Sequence, residues 1–115
     1  MIMVGHMTMT AIDPDNPASL SEPIVTGLLR DELGYDGIII TDALNMGAIS
    51  ENYTNADAAV KAVSAGCDML LCVSNISSVV DALTEAVSDG TITEERIDES
   101  VTRILQAKLQ YGIIS

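Results

Sequence analysis

Apolar residues along this chain fall into three short solid runs, separated by stretches in which they recur every three or four positions. The runs are residues 2–5 (Ile-Met-Val-Gly), 37–40 (Gly-Ile-Ile-Ile) and 69–73 (Met-Leu-Leu-Cys-Val). Runs this short, apolar without alternation, predict strands buried on both faces. After the first, the turn-rich segment 13–17 (Asp-Pro-Asp-Asn-Pro) leads to Ser21, which with Glu22 and Pro23 predicts the N-cap and first turn of a helix. Val25, Leu28, Leu29 and Leu33 carry that helix on, and Gly34 predicts its end. The second run is followed by a loop with a short helix over 46–50, then by an Ala/Val-rich helix over 56–64 closed by Gly66. Beyond the third run a helix presents Val79, Val80, Leu83 and Val87 on one face and stops at Gly90. The last helix opens after Thr93 with an apolar stripe of Ile97, Val101, Ile104, Leu105 and Leu109.

Strands that alternate with helices imply parallel βα units, hence an α/β fold. An open doubly wound sheet and a piece of a (β/α)8 barrel both satisfy this pattern, and both gather functional residues at the carboxyl ends of their strands. Those ends carry His6, Asp42, and the pair Ser74 and Asn75. No Gly-rich phosphate loop and no Gly-x-Ser-x-Gly elbow is present.

Composition narrows the classes further. With 17 acidic residues against 5 basic ones the net charge is −12, which disfavours nucleic acid and anionic membrane surfaces as partners. The only aromatic residues are three tyrosines, so Ile, Leu, Val, Met and Ala must fill the core. The methionines Met1, Met3, Met7, Met9, Met46 and Met69 read mostly as packing. Cys67 and Cys72 have no metal-ligand spacing and the chain holds one histidine, which argues against zinc and favours buried free thiols. No metal and no cofactor is implied. No signal-like or membrane-spanning stretch occurs, which leans towards the cytoplasm. Two matches to the glycosylation pattern, at Asn52 and Asn75, read as chance.

Asp42 follows three isoleucines and a threonine, so a carboxylate sits at the mouth of a buried sheet where its rotamer can be fixed. The plainer reading is that it caps a short helix beginning near Ala43. His6 either lines a pocket or is a satisfied core residue. Met46, four positions past Asp42, can form part of a pocket wall.

The string Leu-Leu-Arg-Asp-Glu-Leu-Gly-Tyr-Asp-Gly-Ile-Ile-Ile-Thr-Asp-Ala-Leu-Asn-Met-Gly-Ala-Ile (28–49) closely resembles glycoside hydrolase family 3, in its bacterial β-N-acetylglucosaminidase branch. Residues 3–7, 11–15, 65–71 and 96–105 resemble the flanking elements of that family in the right order. The resemblance implies a partial (β/α)8 TIM barrel comprising about its last three strands with their helices, so that residues 1–115 are the C-terminal portion of the family's barrel domain without a second domain. The parent's own start then lies upstream. It implies further that Asp42 is the nucleophile of a retaining hydrolase acting on terminal β-N-acetylglucosaminyl or related linkages, with His6 and Met46 beside the sugar. The substrate implied is an N-acetylglucosamine-containing carbohydrate, of the kind cell walls supply.

The chain departs from the family in lacking its Lys-His-Phe-Pro-Gly-His-Gly acid/base loop, so the 115 residues alone are expected to be almost inactive. A partial barrel also leaves apolar surface and strand edges open, which predicts a homodimer or higher self-association. The rival from another class is a non-catalytic α/β module, receiver-like or scaffolding, in which Asp42 is a capping or phospho-accepting residue.

Overall fold

The computed structural model describes residues 1–71 and 73–114. Strands β1 (Ile2–Val4) and β2 (Ile39–Thr41) pair in parallel, with Ile2 opposite Ile39, Met3 opposite Ile40 and Val4 opposite Thr41. A parallel pair needs a crossover between its strands. Here it runs through a 3-10 turn (Ala18–Leu20) and a π-helix (Pro23–Glu32). Helices α1 (Gly47–Ser50), α2 (Asn55–Ala65), α3 (Ile76–Ser88) and α4 (Glu94–Gln110) follow β2. The result is a small α/β domain.

All three residues of β2 are buried, as the isoleucine run predicts, and Ile39 and Thr41 are fully enclosed. The third run behaves differently. Met69 forms a parallel bridge to Ile40, but the segment then leaves the ladder. The cause is the Thr41 side chain, whose hydroxyl oxygen accepts the Leu71 N–H at 3.1 Å, while the Leu71 carbonyl accepts Leu44 N–H at 2.9 Å. Cys72 lies outside the described residues.

Three helix expectations also change. Ser21 does not cap its helix; its hydroxyl donates to Asp13 Oδ2 at 2.7 Å and the helix has no side-chain cap. Leu33, expected in the core, is exposed. The wider π-helical winding, seen in the Leu33 N–H bond to Leu28 O, turns each side chain through less than an α-helix would and brings Ile24 inward beside the expected Val25. Gly34 does end the helix, at φ +68°.

Helix α2 matches its expectation closely. Thr54 accepts Asp57 N–H as N-cap, and Ala58, Ala59, Ala62, Val63 and Ala65 are buried. Small side chains let α2 approach the π-helix, and Gly66 closes it at φ +123°, where a Cβ would strike Thr26 Oγ1. On α3, capped by Asn75, Val79 and Ala86 are the buried positions and Val80 is exposed.

The apolar stripe expected to seat α4 is largely in solvent: Val101, Leu105 and Leu109 are all exposed. The face that docks is polar, with Arg96, Ser100 and Arg103 at helical spacing. Met1, Met3, Met7, Met9 and Met46 are exposed too, so most methionines are not core residues.

Candidate active site

The carboxyl ends of β1 and β2 lie side by side, which brings His6 and Asp42 into one region. The Asp42 N–H donates to Val4 O at 3.0 Å, continuing the ladder one step past β2. Its side chain is half-buried, and Oδ1 accepts the Ala43 N–H at 2.8 Å. Among the described residues Oδ2 takes no hydrogen bond. Asp42 caps no helix: α1 begins five residues later, with Met46 as its N-cap and no side-chain cap bond.

His6 leaves β1 and is held at both nitrogens. Nδ1 lies 2.7 Å from Ser19 Oγ and Nε2 lies 2.8 Å from Ala43 O. A carbonyl only accepts, so Nε2 carries the proton. The ring therefore ties β1 to the residue after Asp42. Next to it is an open polar hollow of about 450 Å³, whose walls include His6, Thr8, Asp15, Asn52 and Tyr53. Met46 is exposed beyond Asp42. Ser74 and Asn75 serve the fold: Ser74 N–H donates to Asn55 Oδ1, and Asn75 caps α3.

At the opposite, amino ends of the strands sits a residue that sequence reasoning passed over. Asp68 has a fully enclosed side chain. Its Oδ2 accepts Ile39 N–H at 2.9 Å and pairs with Arg30; its Oδ1 accepts from Ser100 Oγ at 2.7 Å and Arg103 at 3.0 Å, with Arg96 at 3.9 Å. All three arginines of the chain thus converge on one carboxylate. Burial alone would raise this carboxyl, but the Ile39 N–H, the Ser100 hydroxyl and the arginines hold it below the ordinary carboxylate value. The only signal in the sequence was an acid beside an apolar run, with its partners 28–38 positions away.

The neighbouring Cys67 is buried, and burial followed by the Asp68 charge pushes its thiol up to about 12. Such a thiol is inert. We expect iodoacetamide at pH 8 to leave Cys67 unmodified in the native chain and to alkylate it fully in urea, read by peptide mass mapping.

Comparison with known proteins gives the family and the fold. The family described as "Glycosyl hydrolase family 3 N terminal domain" matches residues 1–107. A β-N-acetylglucosaminidase/β-glucosidase of Cellulomonas fimi is 34% identical over 97% of this chain and 22% of its own length. The solved family 3 β-N-acetylglucosaminidase of Paenibacillus sp. superposes with a TM-score of 0.86 at 45% identity, over 90% of this chain and 20% of that one. The β-N-acetylglucosaminidase of Thermotoga maritima gives 0.84 at 30% identity, over 90% and 24%. The chain thus spans about a fifth to a quarter of the length of these relatives.

Proposed function

The chain belongs to glycosyl hydrolase family 3, and from that premise we propose that it carries the nucleophile of a retaining glycosidase, Asp42. The observation that carries this reading is a carboxylate at the carboxyl end of a buried parallel strand, with one oxygen pinned by its neighbour's N–H and the other open. Asp42 Oδ2 forms an ester bond to the anomeric carbon as the glycosidic C–O bond breaks, and the bonding pair leaves with the aglycone oxygen. Water then attacks the same carbon and releases the carboxylate. The names of the relatives support a terminal β-N-acetylglucosaminyl unit as substrate. Met46 and the ring edge of His6 line the sugar site, since both His6 nitrogens are engaged by the protein.

On this reading residues 1–115 are the C-terminal portion of an eight-stranded barrel domain, about its strands six to eight. The two-stranded sheet and the bridge at Met69 are then the parallel core of that portion. No acid/base loop of the family's kind is present in the sequence, so a natural aglycone leaves poorly. An activated leaving group departs without protonation and bypasses that lack.

The test follows from this. An activated fluorinated N-acetylglucosaminyl donor should add one glycosyl unit to the 115-residue chain, read by intact mass. Acetyl phosphate with Mg²⁺ should add nothing. The opposite pair of results would favour a receiver-like module, in which His6 stands where such a module wants a metal-binding carboxylate.

A partial barrel also explains the uncovered apolar surface. A hollow of about 490 Å³ at the amino ends of the strands is walled by Met1, Ile38, Met69, Ile104, Tyr111 and Ile113, and Val101, Leu105 and Leu109 on α4 are exposed as well. Burying about 1,000 Å² of such surface is worth roughly 25 kcal/mol before association costs. Self-association, most simply as a two-fold dimer, is the expected outcome. Light scattering at micromolar concentration should give at least twice the 12.1 kDa chain mass; a stable monomer would contradict it.

A further inference from the structure

The turn that carries Asp42 is fixed by a second residue pair that makes no contact with the open carboxylate oxygen. The peptide linking Ala43 to Leu44 is gripped at both ends: its C=O accepts His6 Nε2–H at 2.8 Å, and its N–H donates to Leu71 O at 2.9 Å. On the other side, the Asp42 N–H is held by Val4 O at 3.0 Å. With both flanks anchored, the Ala43 N–H has one direction, and that N–H is what pins Asp42 Oδ1 at 2.8 Å. The aim of Oδ2 therefore depends on the His6 ring.

The ring in turn depends on Ser19. Ser19 is fully enclosed in the 3-10 turn of the crossover, and its Oγ lies 2.7 Å from His6 Nδ1. Because Nε2 must keep its proton to serve Ala43, neutral Nδ1 is an acceptor and the Ser19 hydroxyl donates to it. The Ser19 backbone is itself braced, its carbonyl lying 3.5 Å from Cys67 Sγ.

We propose that Ser19, acting through His6 and the Ala43 carbonyl, is a positioning residue that locks the imidazole in its Nε2–H form and thereby aims the Asp42 carboxylate. The relay is a property of the fold. Its consequence for reaction rate rests on the glycosidase reading of Asp42. Misplacing a nucleophile by a fraction of a bond length costs about 10–100-fold in rate.

The chain has a single histidine, so its imidazole signals need no assignment against others. Long-range proton–nitrogen spectra of the intact chain should show the neutral ring as Nε2–H. The Ala43 amide proton should be shifted downfield and protected from exchange by its bond to Asp42 Oδ1. In Ser19→Ala the ring should populate both tautomers and the Ala43 amide should lose most of that downfield shift and protection; Ser19→Thr, which keeps the hydroxyl, and His6→Gln, which keeps a donor towards Ala43, should retain them. Labelling by the activated fluorinated donor should slow about 10–100-fold in Ser19→Ala and recover in Ser19→Thr.

An Nδ1–H ring in the unaltered chain, or an Ala43 amide shift and a labelling rate untouched by Ser19→Ala, would overturn the relay. If the unaltered chain takes no label while its ring and amide behave as stated, the relay stands and the glycosidase reading falls.

Discussion

Replacing Asp68 by alanine is expected to cost the fold about 3–5 kcal/mol, the range for removing one partner of an enclosed ion pair. The expectation comes from what would be left behind. Arg30, Arg96 and Arg103 would face one another around an empty carboxylate site, and the Ile39 N–H at the start of β2 would lose its acceptor. Three elements meet there, since Arg30 belongs to the π-helix, Ile39 to β2 and the other arginines to α4. Domains are typically stable by only about 5–15 kcal/mol, so the variant should melt far lower or fail to fold. Asp68→Asn, which keeps an acceptor for Ile39, should lose less. Urea titrations followed by circular dichroism separate the three chains.

The same site sets a response to acid. The Asp68 carboxyl lies below its unfolded value because hydrogen bonds and arginines outweigh its burial. A carboxyl of that kind adds stability above the unfolded value near 3.9, and the contribution drains away as pH falls through the lower folded value. Asp13, lowered chiefly by the Ser21 hydroxyl, acts in the same direction. Stability should therefore be flat from about pH 5 upwards with respect to these groups and fall steeply below about pH 4, less steeply in Asp68→Asn.

Asp42→Asn should abolish glycosyl labelling, on the order of 10³-fold or more, because an amide oxygen is a poor nucleophile and leaves no ester that water can cleave. The substitution keeps the shape, and an amide oxygen still accepts the Ala43 N–H. Stability should therefore change little, and loss of labelling with an unchanged melt is the expected signature. Loss of both would mean that Asp42 holds the turn rather than performing chemistry.

How far the sequence led is clearest at particular residues. The isoleucine run announced β2 and placed Asp42 at its mouth because strand burial is encoded locally, in consecutive residues. Thr54, Asn75 and Thr93 each cap a helix by contacts three positions away. The π-helix was hidden, since its apolar spacing also fits an α-helix; the two differ in backbone bonds such as Leu33 N–H to Leu28 O, which leave no mark in the sequence. The docking face of α4 was misread because an apolar stripe outweighs three scattered polar positions until Asp68 gathers them. Ser19 could not have been found at all. Its link to His6 spans 13 positions and that of His6 to Ala43 spans 37, and neither distance leaves a pattern along the chain.

The central claim is that the Asp42 carboxylate bonds to a sugar. Digesting the chain after exposure to the activated fluorinated donor, and sequencing the labelled peptide by tandem mass spectrometry, tests it most directly. The account predicts a single glycosyl ester on Asp42. A label elsewhere, such as on Asp15 in the hollow beside His6, or no label on any carboxylate, would contradict it.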